Sequence, residues 1–223
     1  NAIGQPTKIF DPRFSNKNVF TAYVYNDHGN QIEIIYPNVT ITKLDYDLND
    51  NIIRRTNDYG GLNLITENIY NELDWLIQTT IDPEGLAITT RQEHDSEGRV
   101  IKTIDAEGGI TELEYYDNGW LKSSKRQLTD TLYAITQNFY DPNGNVIKSI
   151  DPEGHETSAT YTITDKVETS TDAEGNTTTN HYPECGCCFA DWTMDAKGNK
   201  TYTFYDELRR VQYVRTAESL SAL

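Results

Sequence analysis

Short stretches of alternating polar and apolar residues run along the whole chain, and each ends in a turn-forming sequence. In KTYTFYD (200–206), a period of two places Tyr202 and Phe204 on one side of a strand and Thr203 and Tyr205 on the other. Abundant threonine and tyrosine favour half-buried strands over helices. The pattern therefore predicts an all-β protein.

An acidic turn closes many of these stretches. It reads TIDPEG (80–85), TIDAEG (103–108), SIDPEG (149–154), STDAEG (170–175) and TMDAKG (193–198), at spacings of 23, 46, 21 and 23 residues. Aspartate at the first turn position accepts a backbone N–H, proline sets φ at the second, and glycine takes the fourth. We predict structural turns at Asp82, Gly85, Asp105, Gly108, Asp151, Gly154, Asp172, Gly175, Asp195 and Gly198.

A second turn alternates with the acidic one and follows an aromatic residue. The repeat aromatics are Tyr25, Tyr46, Tyr70, His94, Tyr116, Tyr140, Tyr161, Tyr182 and Tyr205, spaced 21 to 24 residues apart. Four residues after most of them stands a residue that tolerates a left-handed backbone: Gly29, Asp50, Asp74, Gly98, Gly144, Asp165, Gly186 or, less suitably, Arg209, with Gly119 one residue early. This pattern predicts a hairpin loop with a β-bulge.

The regular period indicates an array of about nine repeats over residues 21–216, after a lead-in at 1–20 and before a tail at 217–223. Two strands in each repeat predict about eighteen strands in an antiparallel meander. Equivalent tyrosines would lie two strands apart, about 9.5–10 Å, and interleave with the strand between them. Either face of the sheet could carry them. The chain begins without methionine, which suggests a part of a longer protein.

Charge and hydropathy exclude two classes of partner. The 223 residues include 35 acidic and 19 basic ones, for a net charge of −16, which repels nucleic acid and anionic lipid. No stretch approaches the ~20 apolar residues of a membrane-spanning helix. We therefore predict neither nucleic-acid binding nor membrane insertion.

The stretch HDSEGRVIKTIDAEGGITELEYYD (94–117) resembles the YD repeat of RHS-type proteins, and the resemblance extends over roughly residues 20–220. It implies a curved or spiral β-sheet that forms a hollow shell. Bacterial members of that family enclose a toxic C-terminal domain or serve in insecticidal toxin complexes, and the related teneurins are cell-surface adhesion proteins. Some members are linked with carbohydrate binding. The DPEGL sequence (82–86) lacks the surrounding signature of the family's self-cleaving plug, so no cleavage site is transferred.

Metal binding and catalysis find little support in the sequence. Calcium is the alternative to punctuation for the acidic turns, but each turn offers one or two carboxylates where calcium takes six to eight oxygens. Cys185, Cys187 and Cys188, with His181 nearby, are the candidates for a soft-metal site. No nucleophile, zinc-protease or phosphate-loop motif is visible. We predict no cofactor and no enzymatic activity.

The sequence thus predicts a non-enzymatic structural segment of an extracellular or cell-surface protein, a shell or fibre wall that self-assembles through open sheet edges. Its partners would be neighbouring repeats or copies of itself. The alternative is an adhesion module whose tyrosine-rich face binds a carbohydrate or a protein.

Overall fold

The computed structural model describes residues 4–11, 19–183 and 189–216, and within them the chain forms 19 β-strands and no helix. The strands are β1 (Lys8–Phe10), β2 (Phe20–Tyr25), β3 (Gln31–Ile35), β4 (Ile41–Tyr46), β5 (Ile52–Asn57), β6 (Leu64–Tyr70), β7 (Leu76–Ile81), β8 (Ile88–His94), β9 (Val100–Ile104), β10 (Ile110–Tyr115), β11 (Leu121–Gln127), β12 (Tyr133–Tyr140), β13 (Val146–Ile150), β14 (Glu156–Tyr161), β15 (Val167–Thr171), β16 (Thr177–His181), β17 (Trp192–Met194), β18 (Lys200–Tyr205) and β19 (Val211–Thr216). The predicted all-β antiparallel meander is confirmed.

The chain divides into two compact units, residues 1–111 and 112–223. In the first unit, each strand from β1 to β9 pairs antiparallel with the next. In the second unit, the strands from β11 to β19 do the same. β1, which pairs Ile9 with Thr21, lies inside the stretch predicted as a lead-in. The predicted tail, 217–223, lies outside the described residues.

Two kinds of hairpin alternate along each unit. The YD hairpins, whose turns follow the repeat aromatics, carry the predicted bulge: the register shifts by one residue where Tyr46 pairs with Ile52, Tyr140 with Val146 and Tyr205 with Val211. The acidic hairpins, whose turns begin with the repeated aspartate, pair without such a shift, as between β13 and β14. The tyrosine therefore stands where the ladder of hydrogen bonds is interrupted.

Two acidic turns of the first unit are one residue longer than the others. Residues 58–63 and 82–87 fill them, whereas residues 151–155 suffice between β13 and β14. In the turn at 82–87, the left-handed residues are Asp82 (φ 53°) and Ala87 (φ 50°) rather than Gly85. The extra residue is a leucine, and Leu86 is 80% exposed. The turn predicted at Asp82 and Gly85 thus differs in conformation from the other four.

Burial is slight throughout the described residues. The buried side chains are Thr42, Leu44, Thr56 and Ile65, which are 2% to 7% exposed and all belong to the first unit. Because little apolar surface is removed from water, hydrophobic burial contributes less here than in an ordinary domain. Contacts between neighbouring strands and turns therefore carry much of the stability.

The two faces of the sheet differ in chemistry, since residues paired across neighbouring strands project to the same side. On one face of the first unit, Thr42 Oγ1 donates to Asn57 Oδ1 at 3.1 Å. On the opposite face, Lys43 Nζ lies 3.3 Å from a carboxylate oxygen of Glu33. We call these the amide face and the charged face.

The second unit repeats this division. Ser149 Oγ donates to Asn138 Oδ1 at 3.0 Å on its amide face. Lys125 Nζ lies 3.1 Å from Glu112 Oε2 among the ion pairs of its charged face. These pairs are half-exposed and individually stabilise the sheet by at most about 1 kcal/mol.

Candidate functional site: the junctions between hairpins

A side-chain cap closes each turn. Asp141 Oδ1 accepts the backbone N–H groups of Asn143 and Asn145, both at 2.9 Å, and its Oδ2 accepts Asn145 Nδ2 at 3.0 Å. The equivalent three bonds form at Asp172 and at Asp195. Asp141 belongs to a YD hairpin and the other two to acidic hairpins, so both kinds of hairpin use the same turn chemistry.

These hydrogen bonds also change the acidity of the turn carboxylates. The side-chain bond from the following asparagine is the largest cause that holds the pKa of Asp141, Asp172 and Asp195 below the ordinary value, and the backbone N–H groups add to it. Both donors stabilise the ionised form. The aspartates are therefore caps of the turns in their charged state.

The residues predicted as acidic turns occupy these positions. Asp105, Asp151, Asp172 and Asp195 each accept the N–H groups of the second and fourth residues that follow them. Gly108, Gly154, Gly175 and Gly198 have φ between 83° and 86°. In the longer turn, Asp82 Oδ2 instead accepts the N–H of Leu86 at 2.9 Å, and Gly85 N donates to Asp82 O.

The left-handed backbone predicted after the repeat aromatics is confirmed. The residues with positive φ are Gly29, Asp50, Asp74, Gly98, Gly119, Gly144, Asp165 and Arg209. Arg209 adopts φ 62° while its N–H donates to Asp206 O at 2.8 Å, so the turn keeps its form despite the unsuitable residue. Gly186 lies outside the described residues.

One repeat aromatic was assigned one residue too late. Gly119 N donates to Tyr116 O as Gly144 N donates to Asp141 O, so Tyr116 takes the first turn position and Tyr115 the position of the repeat aromatic. The adjacent aromatics made the frame ambiguous in the sequence. The tyrosine rings are also not fully interleaved, because Tyr116 and Tyr140 meet edge to face with centroids 6.1 Å apart.

Successive YD turns contact each other through the residue in the left-handed position. Asp74 Oδ1 accepts Asn49 Nδ2 at 2.8 Å and Asn51 Nδ2 at 2.7 Å, both from the preceding turn. In the second unit, Asp165 Oδ1 accepts the equivalent amides of Asn143 and Asn145 at 2.9 Å and 2.8 Å. We call these contacts Asp junctions.

The first Asp junction varies the donors. Asp50 Oδ1 accepts Asn30 Nδ2 and lies 3.3 Å from His28 Nδ1. Histidine thus stands where the other two junctions have their first asparagine. One carboxylate oxygen again receives two side chains from the preceding turn, so it ties one hairpin to the next.

A different contact forms where the left-handed residue is glycine. A Cβ atom at Gly98 would lie 3.0 Å from the ring of Trp75, and one at Gly144 would lie 2.9 Å from the ring of Trp120. In each case the tryptophan occupies the position in the preceding turn that Asn51 and Asn145 occupy at Asp junctions. We call these contacts Gly junctions. Glycine is required there twice, for its positive φ and for the room that the ring takes.

The hydroxyl groups of the repeat tyrosines form a second tie between hairpins. They donate to backbone carbonyls: Tyr25 to Pro6 (2.8 Å), Tyr46 to Gln31 (2.8 Å), Tyr70 to Ile52 (3.2 Å), Tyr140 to Leu121 (3.0 Å), Tyr161 to Val146 (2.9 Å), Tyr182 to Val167 (3.0 Å) and Tyr205 to Ala190 (3.1 Å). Tyr116, out of frame, donates forward to Asn138 at 3.1 Å. Burial raises the pKa of Tyr46 and of Tyr182, so both remain protonated donors.

An asparagine two residues before the tyrosine often shares the same carbonyl. Asn68 Nδ2 reaches Ile52 O at 3.0 Å, and Asn180 Nδ2 reaches Val167 O at 3.0 Å. Residues two apart on a strand project from one face, so the repeat tyrosines belong to the amide face. The sequence carries this signal as Asn-X-Tyr, which the prediction of turns and aromatics overlooked.

His94 departs from the tyrosine pattern. Its ring lies 5.5 Å from that of Trp75, and its buried Nδ1 has no hydrogen-bond partner. An imidazole is too short to carry out the contact that a tyrosine hydroxyl makes in the other repeats. This repeat therefore lacks one of its ties.

The metal-site candidates fall in different places. Cys185, Cys187 and Cys188 lie outside the described residues. His181 stacks on Trp192, and its Nδ1 lies 2.7 Å from Asp191 Oδ1.

In the acidic turn at 151–155, donor atoms of Asp151, Glu153 and His155 lie within 4.8 Å of one another. His155 Nδ1 there contacts Asp151 Oδ2 at 3.0 Å, as Asn176 Nδ2 contacts Asp172 Oδ2 at 2.9 Å.

An aromatic cleft opens beside the Gly junction of the second unit. Its volume is about 480 Å³, and Tyr116, Trp120, Phe139, Tyr140 and Ile147 line it together with Asp117 and Asn118. The rings of Trp120 and Tyr140 lie 5.2 Å apart. Apolar walls with a few polar groups at the rim are typical of small-ligand sites.

Solved structures share this fold. A crystal structure of TcdB2-TccC3 without its hypervariable C-terminal region matches with a TM-score of 0.50 and 15% identity over 89% of this chain. A Tc holotoxin pore of Photorhabdus luminescens, with a mutated TccC3, matches with a TM-score of 0.52 and 17% identity over 96%. The chain spans 14% of the length of each. No protein-family model matches the chain, and neither does any curated protein.

The class that these findings define is an all-β repeat sheet held together by turns and tyrosine ties. The chain has the repetitive sheet that its resemblance to YD-repeat proteins implied, and that resemblance is confirmed at the level of fold. Among the described residues, no helix has the length and apolar character needed to cross a bilayer.

Proposed function

We propose that this chain is a non-enzymatic wall segment of a larger assembly. The observation that carries the proposal is the use of its polar side chains: turn carboxylates cap backbone N–H groups, and tyrosine hydroxyls bind carbonyls of neighbouring strands. Groups engaged in this way hold the sheet together and are not arranged around a reacting atom.

The similarity to solved structures supports the same proposal. The Photorhabdus luminescens structure is a holotoxin pore, a multi-part assembly, and this chain matches a segment of it in fold. By extension we propose that the present chain belongs to the wall of a secreted or cell-surface protein. Neighbouring repeats, or copies of the chain, are its partners.

Self-assembly through sheet edges is the proposed mode of association. β1 has Ile9 51% and Phe10 48% exposed, and β19 has Val211 59% and Val214 54% exposed. Strands with apolar side chains and unpaired backbone groups on one side pair readily with other strands. Added copies would extend the sheet by the same antiparallel pairing that joins β18 to β19.

Light scattering across a range of protein concentrations, with and without a chelator, tests this proposal. We expect mass to rise with concentration and to be unaffected by the chelator, because ties between hairpins need no cation. Monomers at every concentration would refute self-assembly. Dissociation on chelation would identify the acidic turns as calcium ligands.

The aromatic cleft favours a second candidate function, recognition of a carbohydrate or a protein. Trp120 and Phe139 offer apolar ring surface there, and Asp117 offers a carboxylate at the rim. A glycan array compared between the native chain and Phe139→Ala tests it. Binding that the variant loses would support an adhesion module, whereas an array without hits would leave the wall segment as the function.

A further inference from the structure

The tyrosine tie has a defined acceptor, the carbonyl of the first residue after a YD turn. Ile52, Val146 and Val167 each open a strand immediately after the bulge, and each accepts a tyrosine hydroxyl from the strand that follows. The acceptor is therefore presented by one hairpin, and the donor comes from the next. Position in the turn is enough to identify an acceptor.

Val211 meets this definition. It opens β19 and pairs with Tyr205 across the bulge, as Val146 pairs with Tyr140. Within the described residues, no strand lies on the outer side of β19, the side from which the donor comes at the other junctions. Val211, Tyr213 and Val214 are 59%, 42% and 54% exposed.

We propose that the outer edge of β19 is a docking site for an extended Asn-X-Tyr strand supplied by a second polypeptide of the same repeat type. The tyrosine hydroxyl and the asparagine amide of the incoming strand bind the carbonyl of Val211. This inference rests on the proposed function as a wall segment, and it adds which strands the edge selects. It continues an interface that already recurs between neighbouring hairpins of each unit.

The chain contains the kind of strand that fits. β12 carries Asn138 and Tyr140, which reach Leu121 O at 3.4 Å and 3.0 Å. Main-chain pairing supplies affinity for any extended strand, whereas the two side chains on one carbonyl supply selectivity. A strand without them forms the ladder but leaves the carbonyl of Val211 without these donors.

The test is the binding of a labelled peptide with the sequence of residues 133–145 (YAITQNFYDPNGN) to the whole chain, followed by fluorescence anisotropy. The matched control peptide carries Asn138→Ala and Tyr140→Phe, which keep its length, charge and aromatic ring. Loss of the hydrogen bonds should weaken binding about tenfold. Equal affinities, or no binding of either peptide, would overturn the proposal.

Hydrogen exchange locates the bound peptide. We expect the native peptide to slow amide exchange in residues 211–216 more than in the rest of the sheet, because the new ladder forms there. Protection elsewhere would overturn the proposed site even if the two peptides differ. Should the peptide fail while concentration-dependent mass persists in light scattering, the selectivity is refuted and the wall segment stands.

Discussion

At Asp74, two asparagine amides from the preceding turn converge on one carboxylate oxygen, whereas at Gly144 the preceding turn places a tryptophan ring against bare backbone. Both residues have a positive φ, 61° and 95°. The aspartate offsets its backbone strain with hydrogen bonds, and the glycine has little strain to offset. The comparison teaches that the junction is specified by two residues together, one from each turn.

The largest expected effect comes from adding a methyl group at a Gly junction. Gly144→Ala combines the cost of a left-handed alanine with a clash against Trp120, so we expect a loss of about 2–4 kcal/mol in the free energy of unfolding. Gly154→Ala is the matched control, because no atom lies within 4 Å of its Cβ position, and it should lose about 1–2 kcal/mol. Denaturant unfolding measures both, and equal losses would remove the ring from the explanation.

Conversion of one junction into the other tests the pairing directly. Asn118 already stands in the turn before Gly144 at the position equivalent to Asn49. We expect Gly144→Asp to be strongly destabilising alone and partly rescued when combined with Trp120→Asn. A double-mutant cycle should give a favourable coupling of about 1–2 kcal/mol. Additive effects of the two substitutions would contradict a paired junction.

A gain of stability is expected where a tie is absent. His94→Tyr places a hydroxyl in the repeat whose imidazole Nδ1 has no partner, so it should add about 0.5–1.5 kcal/mol to the free energy of unfolding. His94→Phe is the control, since it supplies a ring of similar size without the hydroxyl. If both variants gain equally, ring packing and not the hydrogen bond is responsible.

The smallest expected effect is the response to acid. The pKa of Asp141, Asp172 and Asp195 is lowered in the folded chain, so their contribution is complete above the unfolded value of about 3.9 and is lost as pH falls through the folded values. We expect thermal stability to be flat from pH 7 to about pH 5 and to decrease below about pH 4. Asp141→Asn should make that decrease shallower, and an unchanged slope would argue against this carboxylate.

The sequence predicted the repeats, the bulged hairpins and the left-handed positions because each depends on residues close together in the chain. Asp50 and Arg209 adopt positive φ as their places in the repeat require. It did not predict the junctions, since the asparagines at 49 and 51 and their acceptor Asp74 belong to different turns. The carbonyl that accepts Tyr70 is likewise distant in the chain, so a periodic reading identifies the ring and not its partner.

The central claim is that ties between hairpins, more than a buried core, stabilise this sheet. Its most direct test is the free energy of unfolding of a variant in which Tyr70, Tyr140, Tyr161 and Tyr182 are all replaced by phenylalanine. Only four hydroxyl groups are removed and the rings stay, so the account predicts a loss of about 2–6 kcal/mol. Stability equal to or greater than that of the native chain would contradict it and assign the role of these residues to their rings.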